Sequence, residues 1–133
     1  MLPESIKPLI LICDDEEAIR ESLKLILSDD YALHFVKNGL EAMQGLEKIQ
    51  PRLMILDIRM PKIHGMEILK QVKRTRPSLP IIIVTGYQSV ELAQEALKNG
   101  AADYIPKPFN SKQILKAVAK IILPAPHIHP RNA

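Results

Sequence analysis

The chain has 133 residues, 47% hydrophobic and 25% charged, which suits a single domain with a buried core. Its formal charge of +3 is too mild to mark a nucleic-acid surface, and its apolar runs are too short to span a bilayer. A lone Cys13 excludes an internal disulfide and fits a reducing compartment. Residues 1–8, with Glu4 and two prolines, lack the form of a signal peptide, so a cytoplasmic protein is expected.

Short apolar runs alternate with longer amphipathic ones. Residues 9–13 read as a buried strand, with Cys13 as a core thiol. Residues 16–28 place Ile19, Leu23, Ile26 and Leu27 on one helical face, and Asp15 is positioned to cap that helix. Residues 31–36 form a second, weaker strand. The turn Asn38-Gly39 leads into a helix over 40–49, with Leu40, Met43, Leu46 and Ile49 on its apolar face. Pro51 ends it. A third strand covers 53–57, Met60-Pro61 opens a loop, and a helix over 66–74 follows. Its end carries Lys70, Lys73, Arg74 and Arg76, read here as complementing the helix dipole. The β-branched run 81–84 predicts a strand buried on both faces. A helix over 90–98 stops at Asn99-Gly100. A short strand over 103–106 and a helix over 111–123, with Ile114, Leu115, Val118, Ile121 and Ile122 apolar, complete the domain. Residues 124–133 hold three prolines and read as a linker or tail.

Five βα units in series imply an α/β domain, a parallel sheet covered by helices on both faces. Ligands of such sheets bind beyond the carboxyl ends of the strands, at the switch point. Those ends carry Asp14 and Asp15, Asp57, Thr85, and Lys107 just past the fifth strand. Carboxylates brought that close repel unless a cation sits among them. Oxygen donors without a His or thiolate cluster suit a hard ion such as Mg²⁺. A carboxylate beside Mg²⁺ is a competent nucleophile toward phosphorus. His34 and His64 fall at exposed or loop positions, and His127 and His129 lack the spacing of a zinc site.

Taken in order, Asp14-Asp15-Glu16, Leu56-Asp57-Ile58-Arg59-Met60-Pro61 with Gly65, Val84-Thr85-Gly86, and the run from Gly100 through Lys107-Pro108-Phe109 form one pattern. It closely resembles the CheY-like receiver domain of bacterial two-component response regulators. The resemblance spans residues 9–123, within a 1–123 domain followed by the 124–133 tail. It implies a doubly wound, flavodoxin-like (βα)5 fold with strand order 2-1-3-4-5. It also implies that Asp57 is the phosphoacceptor, supplied by a sensor histidine kinase or phosphotransfer protein. Mg²⁺ would be held by Asp15 and Asp57, by Asp14 through water, and by the Arg59 carbonyl. Lys107 and Thr85 would contact phosphoryl oxygens, and Lys107-Pro108 would be a cis peptide. Tyr104 occupies the switch-aromatic position. Its rotation with Thr85 would remodel the surface of the fourth helix, fifth strand and fifth helix, a surface also suited to a homodimer. The domain itself is not expected to contact nucleic acid or membrane. On frequency within the family, the output is expected to be transcriptional.

Arg59 and Tyr87 depart from the commonest pattern, and both should flank the phosphoryl site. They are expected to hinder an attacking water and so prolong the phosphorylated state. Ile63-His64 is a further departure, expected to leave the chemistry unchanged. Other classes fit less well. A nucleotide site or flavodoxin-type cofactor site needs a Gly-rich loop where Asp14-Asp15-Glu16 stands. A dehalogenase-type phosphatase would place its nucleophile on the first strand. A degenerate or stand-alone receiver that only docks or relays is the strongest alternative. It is opposed by the presence of Asp14, Asp15, Asp57, Thr85 and Lys107 together.

Overall fold

The structure, a computed structural model, describes residues 6–59 and 64–124. The expectations for Met60-Pro61, Ile63, His127, His129 and the tail from residue 125 onward lie outside these. The elements run β1 (Leu9–Cys13), α1 (Glu17–Leu27), β2 (Ala32–Val36), α2 (Gly39–Leu46) and β3 (Leu53–Leu56). They continue through α3 (Gly65–Thr75), β4 (Ile81–Thr85), α4 (Val90–Lys98), β5 (Asp103–Pro106) and α5 (Ser111–Ile121). All strand pairs are parallel, in the expected order β2-β1-β3-β4-β5.

Period-two alternation sends each central strand's side chains into two separate cores. Leu11, Cys13, Met54, Leu56, Ile81 and Ile83 pack with Leu46 of α2, Leu69 of α3 and Ala96 of α4. Ile10, Ile12, Leu53, Ile55, Ile82 and Val84 pack with Leu23 of α1 and with Ile114 and Val118 of α5. The chain therefore reverses its winding direction between β1 and β3. That is the switch point, where neighbouring strand ends leave room for a site.

Several local expectations are corrected. Asp15 does not cap α1: the N-cap is Glu16, without a side-chain cap bond. Asp14 Oδ1 instead accepts the Glu16 N–H at 2.9 Å. Leu40 and Leu115, assigned to apolar faces, are exposed, because α2 and α5 each cover the sheet with a narrower stripe than periodicity alone suggests. The helix predicted over 40–49 ends at Leu46, and Asn38 caps its start by accepting the Glu41 N–H. The basic cluster at the end of α3, expected to complement the helix dipole, makes local hydrogen bonds. Lys73 Nζ donates to the carbonyls of Pro77 and Leu79 at 2.9 and 2.8 Å, and the Arg76 guanidinium donates to the Leu46 carbonyl.

Two glycines are required by geometry. Gly100 follows the α4 C-cap with φ of 102°, a conformation that costs other residues dearly. At Gly65 a Cβ would lie 2.2 Å from Ile58 Cα, so α3 can start this close to the β3 exit only without a side chain there.

Candidate functional site

The sheet ladder itself aligns the acidic residues. Cys13 and Leu56 are register partners, and one residue further the Asp57 N–H donates to the Cys13 carbonyl at 3.0 Å. The Asp14 N–H donates to Val36 on the other side at 3.1 Å. Asp14 and Asp57 thus leave adjacent strands side by side, and both are buried, each 2% exposed. Across the sheet, the Lys107 N–H donates to the Thr85 carbonyl at 2.8 Å, which fixes the start of the β5–α5 loop. The Lys107–Pro108 peptide is cis, as the resemblance implies.

Lys107 Nζ joins the two halves of the site. It lies 2.9 Å from Asp14 Oδ2, 2.9 Å from Asp57 Oδ2 and 2.8 Å from Glu16 Oε1. The other Asp57 oxygen accepts the Arg59 N–H at 2.8 Å. The Arg20 guanidinium donates to the Asp14 carbonyl at 2.9 Å, tying α1 to the end of β1.

Asp14, Asp15, Glu16 and Asp57 bring carboxylate oxygens within 4.8 Å of one another, a set able to hold a metal ion. All the donors are oxygen, which favours a hard cation. Cys13 is no competing ligand. Burial first, then the charges of Asp14 and Asp57, push its thiol up to about 12, so it stays protonated. Burial also raises the Asp14 carboxyl above the ordinary range, against the opposing hydrogen bond from Lys107. Glu16 is held low by its hydrogen bond from Lys107. For Lys107, burial favours the neutral amine, but Glu16, Asp14 and Asp57 outweigh it and hold the ammonium above its usual value. The site therefore carries its own cation, and it is electrostatically arranged to receive another.

Thr85 is fully buried at the end of β4, and its Oγ1 accepts the Tyr87 N–H at 3.4 Å. Tyr104 on β5 donates from Oη to the Tyr87 carbonyl at 2.6 Å. The Arg59 guanidinium sits over the Tyr87 ring, 5.5 Å from its centroid. Gln88 Nε2 donates to the Lys107 carbonyl at 2.9 Å. The loops after β3, β4 and β5 are thus mutually linked at the sheet edge.

Sequence reasoning brought Asp14, Asp15, Asp57 and Lys107 to one place, and the fold does so. It missed Glu16 as a partner of Lys107 and Arg20 as a support for Asp14. Glu16 was visible as the third acid of an unbroken run. Arg20 carried no signal, because its contact is to a backbone carbonyl.

Comparison with known proteins matches residues 10–119 to the model of the response regulator receiver domain. The response regulator MprA of Mycobacterium leprae is 35% identical over 114 residues, 85% of this chain and 50% of that protein. The chain therefore spans about half the length of the curated relatives it matches. A CheY-like receiver domain protein from Methanospirillum hungatei JF-1 superposes with a TM-score of 0.81 at 34% identity, over 86% of this chain and 92% of that one. The receiver domain of NtrX from Brucella abortus gives 0.80 at 30% identity, over 85% and 97%.

Proposed function

Since the chain belongs to the response regulator receiver domain family, we propose that Asp57 accepts a phosphoryl group from the phosphohistidine of a sensor histidine kinase or phosphotransfer protein. An Asp57 carboxylate oxygen bonds to phosphorus as the histidine N–P bond breaks. The bonding pair returns to the imidazole nitrogen. Receiver domains of this family are regulatory rather than metabolic, and here the product is an aspartyl phosphate that loses its phosphate slowly to water.

The observation that carries this reading is the Asp57 carboxylate. It is buried beside Asp14 and held between the Lys107 ammonium and the Arg59 N–H. Phosphoryl transfer asks a protein mainly for positioning and charge neutralisation, and both are supplied here. In this reading Lys107 pairs with a phosphoryl oxygen, and the Thr85 hydroxyl donates to another. Asp15 and Asp57, with Asp14 through water and the Arg59 carbonyl, would hold Mg²⁺. The chemistry that ion supplies when bound is neutralisation of phosphoryl oxygens. The assigned signal route is Thr85 and Tyr104, leading to the surface of α4, β5 and α5. Exposed Val90, Leu97 and Leu115 there suit a homodimer contact. The reading places the protein in the cytoplasm, with a transcriptional output through an effector domain or partner.

Intact mass after incubation with Mg²⁺ and acetyl phosphate is the test. Wild type gains one phosphoryl group and Asp57→Ala gains none. An unchanged wild-type mass across several donors, or full labelling of Asp57→Ala, overturns the assignment.

A further inference from the structure

An ammonium has three N–H donors, and those of Lys107 are taken up by Glu16, Asp14 and Asp57 at 2.8, 2.9 and 2.9 Å. A phosphoryl oxygen that pairs with Lys107 must displace one of these acceptors. The three differ in what release costs. The Asp14 and Asp57 side chains are 3% and 2% exposed, whereas that of Glu16 is 60% exposed. A freed Glu16 carboxylate is solvated at once, while a freed Asp14 would remain buried without a countercharge, keeping only the Glu16 N–H, which is far costlier.

We propose that Glu16 is a positioning residue that holds Lys107 in the unphosphorylated state and is the acceptor it leaves when the phosphoryl group arrives. Glu16 acts on two events with opposite sign. Its negative charge, within 4.8 Å of the oxygens of Asp14, Asp15 and Asp57, attracts a divalent cation to the site. Its grip on Lys107 opposes phosphoryl capture, because that contact must break first. It also draws the ammonium toward the rim, so removing it leaves Lys107 competing harder with the metal for Asp14 and Asp57. A residue that merely supported the fold would move both affinities the same way. The inference rests on the phosphoacceptor reading above.

The test is calorimetric titration of wild type and Glu16→Gln, first with Mg²⁺ alone, then with beryllofluoride, a phosphoryl mimic, at saturating Mg²⁺. Removing one partly solvated charge at this range is expected to weaken Mg²⁺ binding about threefold to tenfold. Beryllofluoride binding tightens by about the same factor, as the competing acceptor is gone. Glu17→Gln, the next acid along and an exposed residue of α1, serves as the charge control and is expected to leave beryllofluoride binding unchanged. In a Lys107→Met background the Glu16→Gln gain in beryllofluoride affinity disappears, since the effect runs through that ammonium. Wild-type affinities retained in Glu16→Gln, both affinities lowered together, or a gain that persists without Lys107 each overturn the role of Glu16. A wild type that binds neither probe overturns the phosphoacceptor reading itself, and the role of Glu16 with it.

Discussion

Arg59 lies two residues beyond Asp57, and Tyr87 two beyond Thr85, yet the guanidinium stacks 5.5 Å from the tyrosine ring centroid. A cation held over an aromatic face at an exposed site is worth about 0.5–1 kcal/mol. The pair bridges the loops after β3 and β4, next to the carboxylate assigned to take the phosphoryl group. On the proposed function, this pair is the shield expected to hinder a water attacking phosphorus. The Arg59→Ala/Tyr87→Ala double variant is expected to lose phosphate about fivefold faster than wild type, the factor that about 1 kcal/mol of barrier corresponds to. Decay of the phosphorylated mass with time measures this, and slower or equal loss in the double variant removes the shielding role. At this scale the sequence exposed the chemistry unevenly. Asp14, Asp57 and Lys107 were legible because they follow apolar runs whose pairing fixes where they emerge. The contact of Arg59 with Tyr87 was not, since both positions were expected only to flank the site. Asp15 was misread as a cap because an acid just before a helix is the usual capping signal, whereas the N-cap here is Glu16, whose N–H is taken by Asp14 Oδ1.

Strands were more legible than helix ends. The runs at 9–13 and 103–106 match β1 and β5 residue for residue; apolar content against polar punctuation marks the central strand β1, and the Gly100 stop before and Pro108 after bracket the edge strand β5. Helix α2 was overextended, since Ile49 continues the apolar spacing of Met43 and Leu46 after the chain has left the helix at Glu47. Both Met43 and Ile49 still pack against the core, so the pattern tracked burial rather than helix. Tyr31 shows a tie that no local pattern reveals. It is 1% exposed, and its Oη donates to the Ile122 carbonyl at 3.1 Å, joining the α1–β2 turn to the end of α5. Burial, with Asp30 nearby, pushes its hydroxyl up to about 12. A folded pKa above the unfolded value of about 10 means the stabilisation is full below pH 10 and is lost as pH climbs toward 12. Tyr31→Phe is therefore expected to be about 1 kcal/mol less stable than wild type at pH 7, through the lost hydrogen bond. By pH 11 the two should converge, as ionisation in the unfolded state alone takes about that much from wild type. Urea unfolding at pH 7, 9 and 11 reads the difference. A gap that stays constant, or widens, removes the titration of Tyr31 from the alkaline limb.

The molecule as a whole separates two tasks along the sheet. The acids at the switch point, between β1 and β3, form the charged pocket with Lys107 reaching in from the end of β5, while the other side of β4 and β5 faces the α4, β5 and α5 surface. On the proposed route, a signal from Asp57 crosses β4 by way of Tyr104. Its ring packs partly against the core shared by α2, α3 and α4, and its hydroxyl holds the Tyr87 carbonyl at 2.6 Å, within the loop that opens α4. The nearby Asp57 charge adds to burial in raising the Tyr104 hydroxyl, so the tyrosine stays neutral and a donor at physiological pH. Tyr104→Phe keeps the ring and deletes only that bond. Two states that differ by whether such a bond is made are biased by about 1 kcal/mol, a fivefold shift in their ratio. The variant is expected to label at Asp57 like wild type, because no contact to the acidic pocket is removed. Amides of α4, whose exchange should change on phosphorylation in wild type, should respond about fivefold less in the variant. Hydrogen exchange with and without beryllofluoride measures both proteins side by side. An undiminished α4 response in Tyr104→Phe would show that the state of Asp57 reaches the surface without this bond, and the ring or Thr85 alone would then have to carry it.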